Sequence, residues 1–129
     1  MRLAILAIAA CAVLPPTTVF AQEKPVREGT CVRTTIQRIE TRLIDGRTNR
    51  PIPMSGSSVT FANGVSQVDY AQVPAVDQSR PGDPVYLCLI QIPRDCPPGD
   101  TRGRIYTTTN LRSMNSWTMK DSPHGCGGA

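Results

Sequence analysis

The side chains with the most reactive chemistry in this 129-residue chain are its five cysteines. Cys11 lies in an apolar N-terminal stretch, and the others are Cys31, Cys88, Cys96 and Cys126. The apolar N-terminal stretch has the pattern of a cleaved secretory signal, so the exported domain would keep four cysteines. An even number of cysteines in an exported domain predicts two disulfides. A thiolate metal site with His124 is the alternative, but there is no Cys-x-x-Cys pair, and His124 and Cys126 are separated by one residue. The sequence therefore favours disulfides, with no metal and no other cofactor.

Chain geometry argues against one of the three possible pairings. A strand over residues 85–92 places Cys88 roughly 16 Å from the end of that strand. The next three residues can return at most about 11 Å, whereas the Cα atoms of a disulfide lie about 5.5 Å apart. Cys88–Cys96 is therefore the poorest pairing. We predict Cys31–Cys88 together with Cys96–Cys126.

Two other groups of residues are candidates for catalysis. His124 is the only histidine, and a Cys–His nucleophile pair would need a free thiol, which paired cysteines do not provide. Asp95 and Asp100 flank a Pro-Pro turn and could form a glycosidase-like carboxylate pair. Aspartates in such loops are typically turn formers that accept backbone N–H groups. No Gly-rich phosphate loop, HExxH or GxSxG motif occurs, so we expect a protein that is not an enzyme.

Arginines and aromatic residues near the C-terminus suggest a binding surface. Guanidinium groups suit phosphates and carboxylates, and aromatic side chains suit sugars and protein partners. The candidate binding residues are Arg94, Arg102, Arg104, Arg112, Tyr106 and Trp117. We expect an anionic envelope glycan or lipid, or a periplasmic protein, as the partner. The structural alternative is that Trp117 fills the core while the arginines alternate outward.

The charge of the chain argues against nucleic acid as a partner. The formal net charge is +4. Without Arg2, 13 of the 14 basic residues remain against ten acidic ones, a net charge of +3. A surplus this small does not predict nucleic-acid binding. It also counts against inhibition of a secreted lytic enzyme, because basic targets of that class would repel a basic inhibitor.

The N-terminus has the pattern of a secretory signal peptide. A basic Met1-Arg2 start precedes an uncharged stretch, a Pro-Pro pair and the small residues of Val19-Phe20-Ala21. This pattern predicts cleavage after Ala21 and a periplasmic or secreted protein. One alternative is an uncleaved anchor over residues 3–21, which is close to the length of a membrane span. The other is lipidation of Cys11, which follows Ile8-Ala9-Ala10 and would anchor the protein in the membrane.

Cleavage would leave 108 of the 129 residues, enough for one domain with a modest core. We expect a flexible lead-in over residues 22–29 and a single β domain over residues 30–129. Residues 30–43 fit a helical period, but four threonines and two isoleucines favour a strand. The alternation of this strand slips in phase by one residue between Ile36 and Ile39, which indicates a bulge near Gln37-Arg38. The alternating runs around Asn63-Gly64 predict a β-hairpin. Its apolar residues are Val59, Phe61, Val65, Val68 and Tyr70.

The remaining segments also indicate strands. Residues 71–80 could hold one helical turn after Pro74. Residues 85–90 are apolar on both faces, which predicts a central strand that is fully buried. Residues 104–111 and 116–119 add two further strands. Five or six short strands with Gly/Pro turns predict an all-β domain. A small disulfide-stabilised barrel of the SH3 or OB type is the expected architecture, with a small sandwich as the alternative.

Several segments of the mature chain together resemble a family of small exported bacterial proteins of unassigned function. These segments are GTCVRTTIQRI, SSVTFANG, SRPGDPVYLCL, CPPGDTRGRIY and SWTMKDSPHGCGG. The resemblance implies an exported location and carries over no catalytic or binding residue. The pattern GD-x-V-x-x-C also resembles the small β-barrels of some envelope lipoproteins over a few residues.

The sequence thus predicts a non-enzymatic, exported cell-envelope protein that binds anionic ligands or a partner protein through an Arg/aromatic surface. The alternatives are a lipid-anchored structural component of the envelope and an inhibitor of a secreted lytic enzyme.

Overall fold

The computed structural model describes residues 22–128. The expected signal peptide, its cleavage site and Cys11 lie outside the described residues. In the described part of the chain, no helix has both the length and the apolar character needed to cross a bilayer.

The described residues form an antiparallel barrel of six strands. In chain order the elements are β1 (Cys31–Thr41), β2 (Ser57–Phe61), β3 (Ser66–Asp69), α1 (Pro74–Asp77), β4 (Pro84–Gln91), β5 (Ile105–Asn110) and β6 (Ser116–Lys120). The strands close in the order β1-β2-β3-β6-β5-β4. The structure thus confirms the prediction of an all-β, disulfide-stabilised small barrel, and the sandwich alternative does not apply.

The barrel consists of two three-stranded meanders, β1-β2-β3 and β4-β5-β6, which meet at two seams. The β1–β4 seam has five residue pairs, one of which is Cys31 opposite Cys88. These two cysteines form a disulfide, with their Cα atoms 4.0 Å apart. The β3–β6 seam has a single backbone pair, Val68 opposite Lys120. One seam is therefore covalently locked, and the other has very little backbone pairing.

The first strand has the predicted bulge. The register of β1 against β2 shifts between Ile36 and Arg38, so Gln37 is the additional residue. Before the bulge β1 pairs with β4, and from Ile36 onward it pairs with β2. Because a bulge bends a strand and increases its twist, it allows one long strand to pair with β4 in one meander and with β2 in the other.

The predicted hairpin turns at Asn63-Gly64, where the Gly64 N–H donates to the Phe61 carbonyl at 2.9 Å. Val59, Phe61 and Val65 are buried as expected. The next buried residue is Gln67, however, and the predicted Val68 is only partly buried. The assignment of Val68 to the core was wrong because strict alternation continues from Val65, which places a glutamine inside. Tyr70, also assigned to the apolar set, is 56% exposed.

Strand β4 is buried on one face only. Val85, Leu87 and Leu89 are buried, whereas Tyr86 is 47% and Ile90 is 48% exposed. The prediction of a fully buried strand was therefore wrong. In a closed barrel formed by a single sheet, one face of each strand lines the interior, and no second layer covers the outer face of β4.

Segments outside the strands complete the core. Val76 of α1 is fully buried and belongs to the hydrophobic core cluster. On the N-terminal side, Asn63 Nδ2 donates to the Glu23 carbonyl at 3.0 Å, and the Ile92 N–H donates to Glu28 Oε1 at 2.8 Å. Pro25 is buried between these contacts. These contacts attach part of residues 22–29 to the barrel, and the flexibility of this lead-in stays a prediction.

Candidate functional site

The two aromatic residues predicted to bind a ligand belong to the core. Trp117 is 5% and Tyr106 is 3% exposed. The indole Nε1 of Trp117 donates to Gln67 Oε1 at 2.8 Å. Trp117 therefore cannot present its ring to a ligand, and the structure matches the alternative in which it fills the barrel.

Arg112 is bound internally near α1. Its Nε and Nη2 donate to the two oxygens of Asp83 at 2.6 and 2.9 Å. Asp83 is buried and also accepts from Asn110 Nδ2 at 2.8 Å. The hydrogen bonds from Arg112, followed by that from Asn110, hold the pKa of Asp83 well below its usual range, although burial acts in the opposite direction. Arg112 is thus used to satisfy a buried carboxylate.

Arg102 is held in a similar way on the other side of the barrel. Its Nε and Nη2 donate to Asp100 at 2.9 and 2.8 Å, and the Gly127 N–H donates to the same carboxylate at 3.1 Å. These bonds, led by those from Arg102, lower the pKa of Asp100. Asp100 therefore anchors the loop and the tail, as a turn-forming aspartate does.

The second disulfide joins the same two segments. Cys96 is bonded to Cys126, with the Cα atoms 5.3 Å apart. Together with Cys31–Cys88, this confirms the predicted pairing. Since all four sulfurs are paired, the alternative thiolate metal site has no thiolates to offer. Within residues 22–128 no three His, Cys, Asp or Glu side chains are grouped to hold a metal ion.

The predicted arginine surface is divided between the two ends of the barrel. Arg104 precedes β5 and Arg112 follows it, so a strand of six residues separates them by roughly 20 Å. Arg94 is exposed on the loop after β4. Among the described residues its side chain has no hydrogen-bond or ion-pair partner. Of the six predicted residues, the structure brings Arg104 and Tyr106 together at one pocket.

This pocket, which we call the Lys24–Arg104 pocket, has a volume of about 300 Å³. The lead-in, the β2–β3 turn, the start of β5 and the residue after β6 all contribute to it. Its lining residues are Lys24, Gly64, Val65, Ser66, Thr101, Arg104, Tyr106 and Asp121. Lys24 lies against the turn, because a Cβ atom built on Gly64 would come within 3.4 Å of Lys24 Nζ.

Asp121 fixes the position of the backbone beside Arg104. Its Oδ1 accepts the N–H groups of Gly103 at 2.8 Å and Arg104 at 3.1 Å, while its own N–H donates to the Arg104 carbonyl at 2.9 Å. Burial raises the pKa of Asp121 despite these bonds. Burial likewise raises the pKa of the Tyr106 hydroxyl, and the nearby Arg104 guanidinium opposes that rise.

The guanidinium of Arg104 is incompletely satisfied. In the described part of the chain, Arg104 Nε is the buried side-chain polar atom that has no hydrogen-bond partner. Such an atom is costly in a folded protein unless water or a ligand completes its bonding. Arg104 lines the pocket together with Lys24, and Asp121 contributes the one carboxylate among the lining residues. The arrangement suits an anionic group.

Sequence reasoning missed Lys24 and Asp121. Lys24 was assigned to a flexible segment, and Asp121 was treated as part of the tail. Four separate segments bring these residues together, so no local motif marks them.

In comparisons of the chain with known proteins, no family model, no curated protein and no solved structure matches it.

Proposed function

We propose that this chain is a non-enzymatic, exported cell-envelope protein that binds an anionic group in the Lys24–Arg104 pocket. The group is a phosphate or carboxylate carried by an envelope ligand. The observation that supports this proposal most directly is the buried Arg104 Nε that has no hydrogen-bond partner among the described residues.

Electrostatics and hydrogen bonding favour an anion at this site. A guanidinium group offers five N–H donors in a planar arrangement that matches carboxylate and phosphate oxygens. Bonds to a charged acceptor are stronger than those to a neutral one. Asp121 repels the anion less than a free carboxylate would, because its Oδ1 accepts two backbone N–H groups. Lys24 supplies a second positive charge on the rim.

The disulfides support an exported location. Two structural disulfides are typical of oxidising compartments and rare in the reducing cytoplasm. We propose the periplasm or the extracellular space, reached through the N-terminal signal. The mass of the exported protein distinguishes cleavage after Ala21 from acylation at Cys11, and the latter would favour a membrane-anchored protein.

A titration followed by NMR tests the binding site. The exported protein is titrated with inorganic phosphate, with acetate and with a carboxylated amino sugar, which separate simple anion binding from glycan recognition. We expect shifts at the backbone amides of Gly103, Arg104 and Asp121. Arg104→Gln should weaken binding at least tenfold, because it removes the charge-assisted bonds. Lys24→Gln is the second variant, since Lys24 is exposed and its replacement should leave the fold intact.

Arg94→Gln is the matched control, because it removes one positive charge from a neighbouring loop outside the pocket. Its affinity should remain close to that of the unchanged protein. If Arg94→Gln weakens binding as much as Arg104→Gln, the effect is general electrostatic attraction and the assigned site is incorrect. An absence of binding by all three probes would refute the proposal.

A further inference from the structure

A second surface lies on the long connection between β1 and β2, away from the anion pocket. We call residues 42–56 the β1–β2 arm. Of the twelve residues from 43 to 54, all except Asp45 are exposed. Four of them are large aliphatic side chains: Leu43, Ile44 and Ile52 are 39–45% exposed, and Met54 is 78% exposed.

The arm has a defined structure despite its exposure. Ile44 and Pro51 form a β-bridge, and the Ile52 N–H donates to the Leu43 carbonyl at 3.0 Å. At the tip, Asp45 Oδ1 accepts two backbone N–H groups at 2.8 and 2.9 Å. The arm is therefore a short, preorganised hairpin, which would lose little conformational entropy on binding.

The base of the arm is attached to the barrel by Arg42. Its Nε donates to the Ser55 carbonyl at 2.7 Å, and its guanidinium carbon lies 4.1 Å from the centre of the Tyr70 ring. Tyr70 itself is more than half exposed. An aromatic ring with a polar hydroxyl and a stacked arginine thus lies at the base of the aliphatic hairpin.

The two faces of this hairpin are both apolar. Leu43 and Ile52 are paired and point to one side, whereas Ile44 and Pro51 point to the other because side chains alternate along a strand. Ile44 and Pro51 line an open groove with Ile39, of about 360 Å³. A hairpin exposed to water usually has one polar face. Exposed aliphatic residues on both faces indicate a surface that another apolar phase covers.

The charge of the arm indicates which kind of surface covers these aliphatic side chains. The arm contains three arginines, Arg42, Arg47 and Arg50, and one acidic residue, Asp45, whose Oδ1 is engaged in the turn. Among the described residues, Arg47 and Arg50 have no side-chain hydrogen bond or ion pair. Aliphatic side chains flanked by unpaired cations are complementary to the interface of a bilayer with anionic headgroups.

We propose that the β1–β2 arm docks on the surface of an anionic lipid bilayer. Leu43 and Ile52 enter the boundary between headgroups and acyl chains, while Arg47 and Arg50 contact lipid phosphates. This inference is independent of the Lys24–Arg104 pocket, since the two surfaces share no residue. A protein that binds envelope ligands would in this way be held at the membrane on which those ligands are assembled or anchored.

Sedimentation with lipid vesicles tests the inference. The exported protein, its mass determined so that any acyl group is known, is mixed with vesicles of phosphatidylcholine alone or with phosphatidylglycerol added. We expect binding to the anionic vesicles that weakens as salt is added. Arg47→Gln with Arg50→Gln should reduce the affinity about 25-fold, because each basic residue near such a surface contributes about 1 kcal/mol.

Two control pairs match these changes elsewhere on the barrel. Arg27→Gln with Arg33→Gln removes the same charge from exposed positions outside the arm and should reduce binding far less. Leu43→Ser with Ile52→Ser should also weaken vesicle binding, whereas Ile90→Ser with Met114→Ser, at comparably or more exposed positions, should not.

Three results would overturn the inference. The first is an absence of binding to anionic vesicles, and the second is an equal effect of the arm and control variants. The third is a dimer in analytical ultracentrifugation that disappears on Leu43→Ser with Ile52→Ser, because the arm would then cover a second copy of the chain. Titration of the Lys24–Arg104 pocket with phosphate is unaffected by the arm variants, so failure of one proposal is separable from failure of the other.

Discussion

The side-chain amide of Gln67 makes four hydrogen bonds in the barrel interior, and its removal is a direct test of how the core is stabilised. Its Oε1 accepts from Thr108 Oγ1 at 2.6 Å and from Trp117 Nε1 at 2.8 Å. Its Nε2 donates to the carbonyl oxygens of Tyr106 at 2.8 Å and Met119 at 3.3 Å. Gln67 thereby links β3 to both β5 and β6.

Gln67→Leu keeps the volume similar and removes all four bonds. It leaves the Thr108 hydroxyl and the Trp117 indole N–H as buried donors with no acceptor, at about 1–3 kcal/mol each. The more apolar side chain returns about 1 kcal/mol through the hydrophobic effect. We therefore expect the free energy of unfolding to fall by about 3 kcal/mol, a large part of the total for a small domain.

Urea unfolding followed by fluorescence measures this change, because Trp117 is the only tryptophan in the chain and lies within the network. With a denaturant slope of about 1.5 kcal/mol per molar urea, the midpoint should fall by about 2 M. Gln37→Leu is the control: Gln37 is exposed at the β1 bulge, so its replacement should have little effect.

The double variant Gln67→Leu with Thr108→Val examines the cause of the loss. Removing the orphaned hydroxyl together with its acceptor should make the double variant lose at least 1 kcal/mol less than the sum of the two single losses. A Gln67→Leu protein as stable as the unchanged one would refute the reasoning. Strict additivity of the two substitutions would also refute it.

Further predictions concern the tail and the buried ion pair. Replacing Cys96 and Cys126 together by serine should lower the free energy of unfolding by about 3.5 kcal/mol on the loop-entropy estimate for a 30-residue separation, measured by urea unfolding; a loss below about 1 kcal/mol would contradict it. Because Arg112 lowers the native pKa of Asp83 below its usual value, this carboxylate stabilises the fold above the unfolded-state pKa of about 4 and loses that effect as the pH falls from there towards the native pKa. In Asp83→Asn the melting temperature should therefore be lower at pH 6 and should decline less between pH 6 and pH 3, and an unchanged decline would assign the acid sensitivity to other groups.

Much of the fold was predictable because local signals and tertiary packing agree. The phase slip in β1 indicated a bulge, and the structure places it at Gln37. Asn63-Gly64 indicated the β2–β3 hairpin, since these residues readily adopt the turn it needs. The reach of the chain argued against Cys88–Cys96, because too few residues separate these two cysteines for the chain to reverse direction, and the preferred one of the two remaining pairings is the one observed. Each of these predictions depends on a short segment whose behaviour changes little with its surroundings.

The errors arise where packing overrides the local pattern. A buried glutamine is costly unless its amide is satisfied, and the four partners of Gln67 come from strands about 40 to 50 residues away. The residues near Gln67 in the sequence therefore give no indication of these hydrogen-bond partners. The outer face of β4 shows the same limit, because Tyr86 and Ile90 are as apolar as buried residues although no second layer covers them.

The candidate site was the least predictable part of the molecule. Arginine is a versatile residue, and its role depends on which carboxylates lie within reach. Arg102 and Arg112 each form an ion pair with an aspartate. Arg104 lies instead beside Asp121, whose Oδ1 accepts backbone N–H groups. Asp100 lies only two residues from Arg102, but the sequence does not indicate the partner of Arg112, because Asp83 is 29 residues away.

The unequal seams give the barrel a hinge-like mechanical character. The Cys31–Cys88 disulfide and the β1–β4 pairing hold the two meanders together along one side. Along the other side, one backbone pair and the side-chain amide of Gln67 connect β3 to β6. Local opening occurs most readily where the fewest bonds must break, so we expect the β3–β6 side to open first. Solvent would therefore enter the barrel beside Trp117 long before the two halves could part.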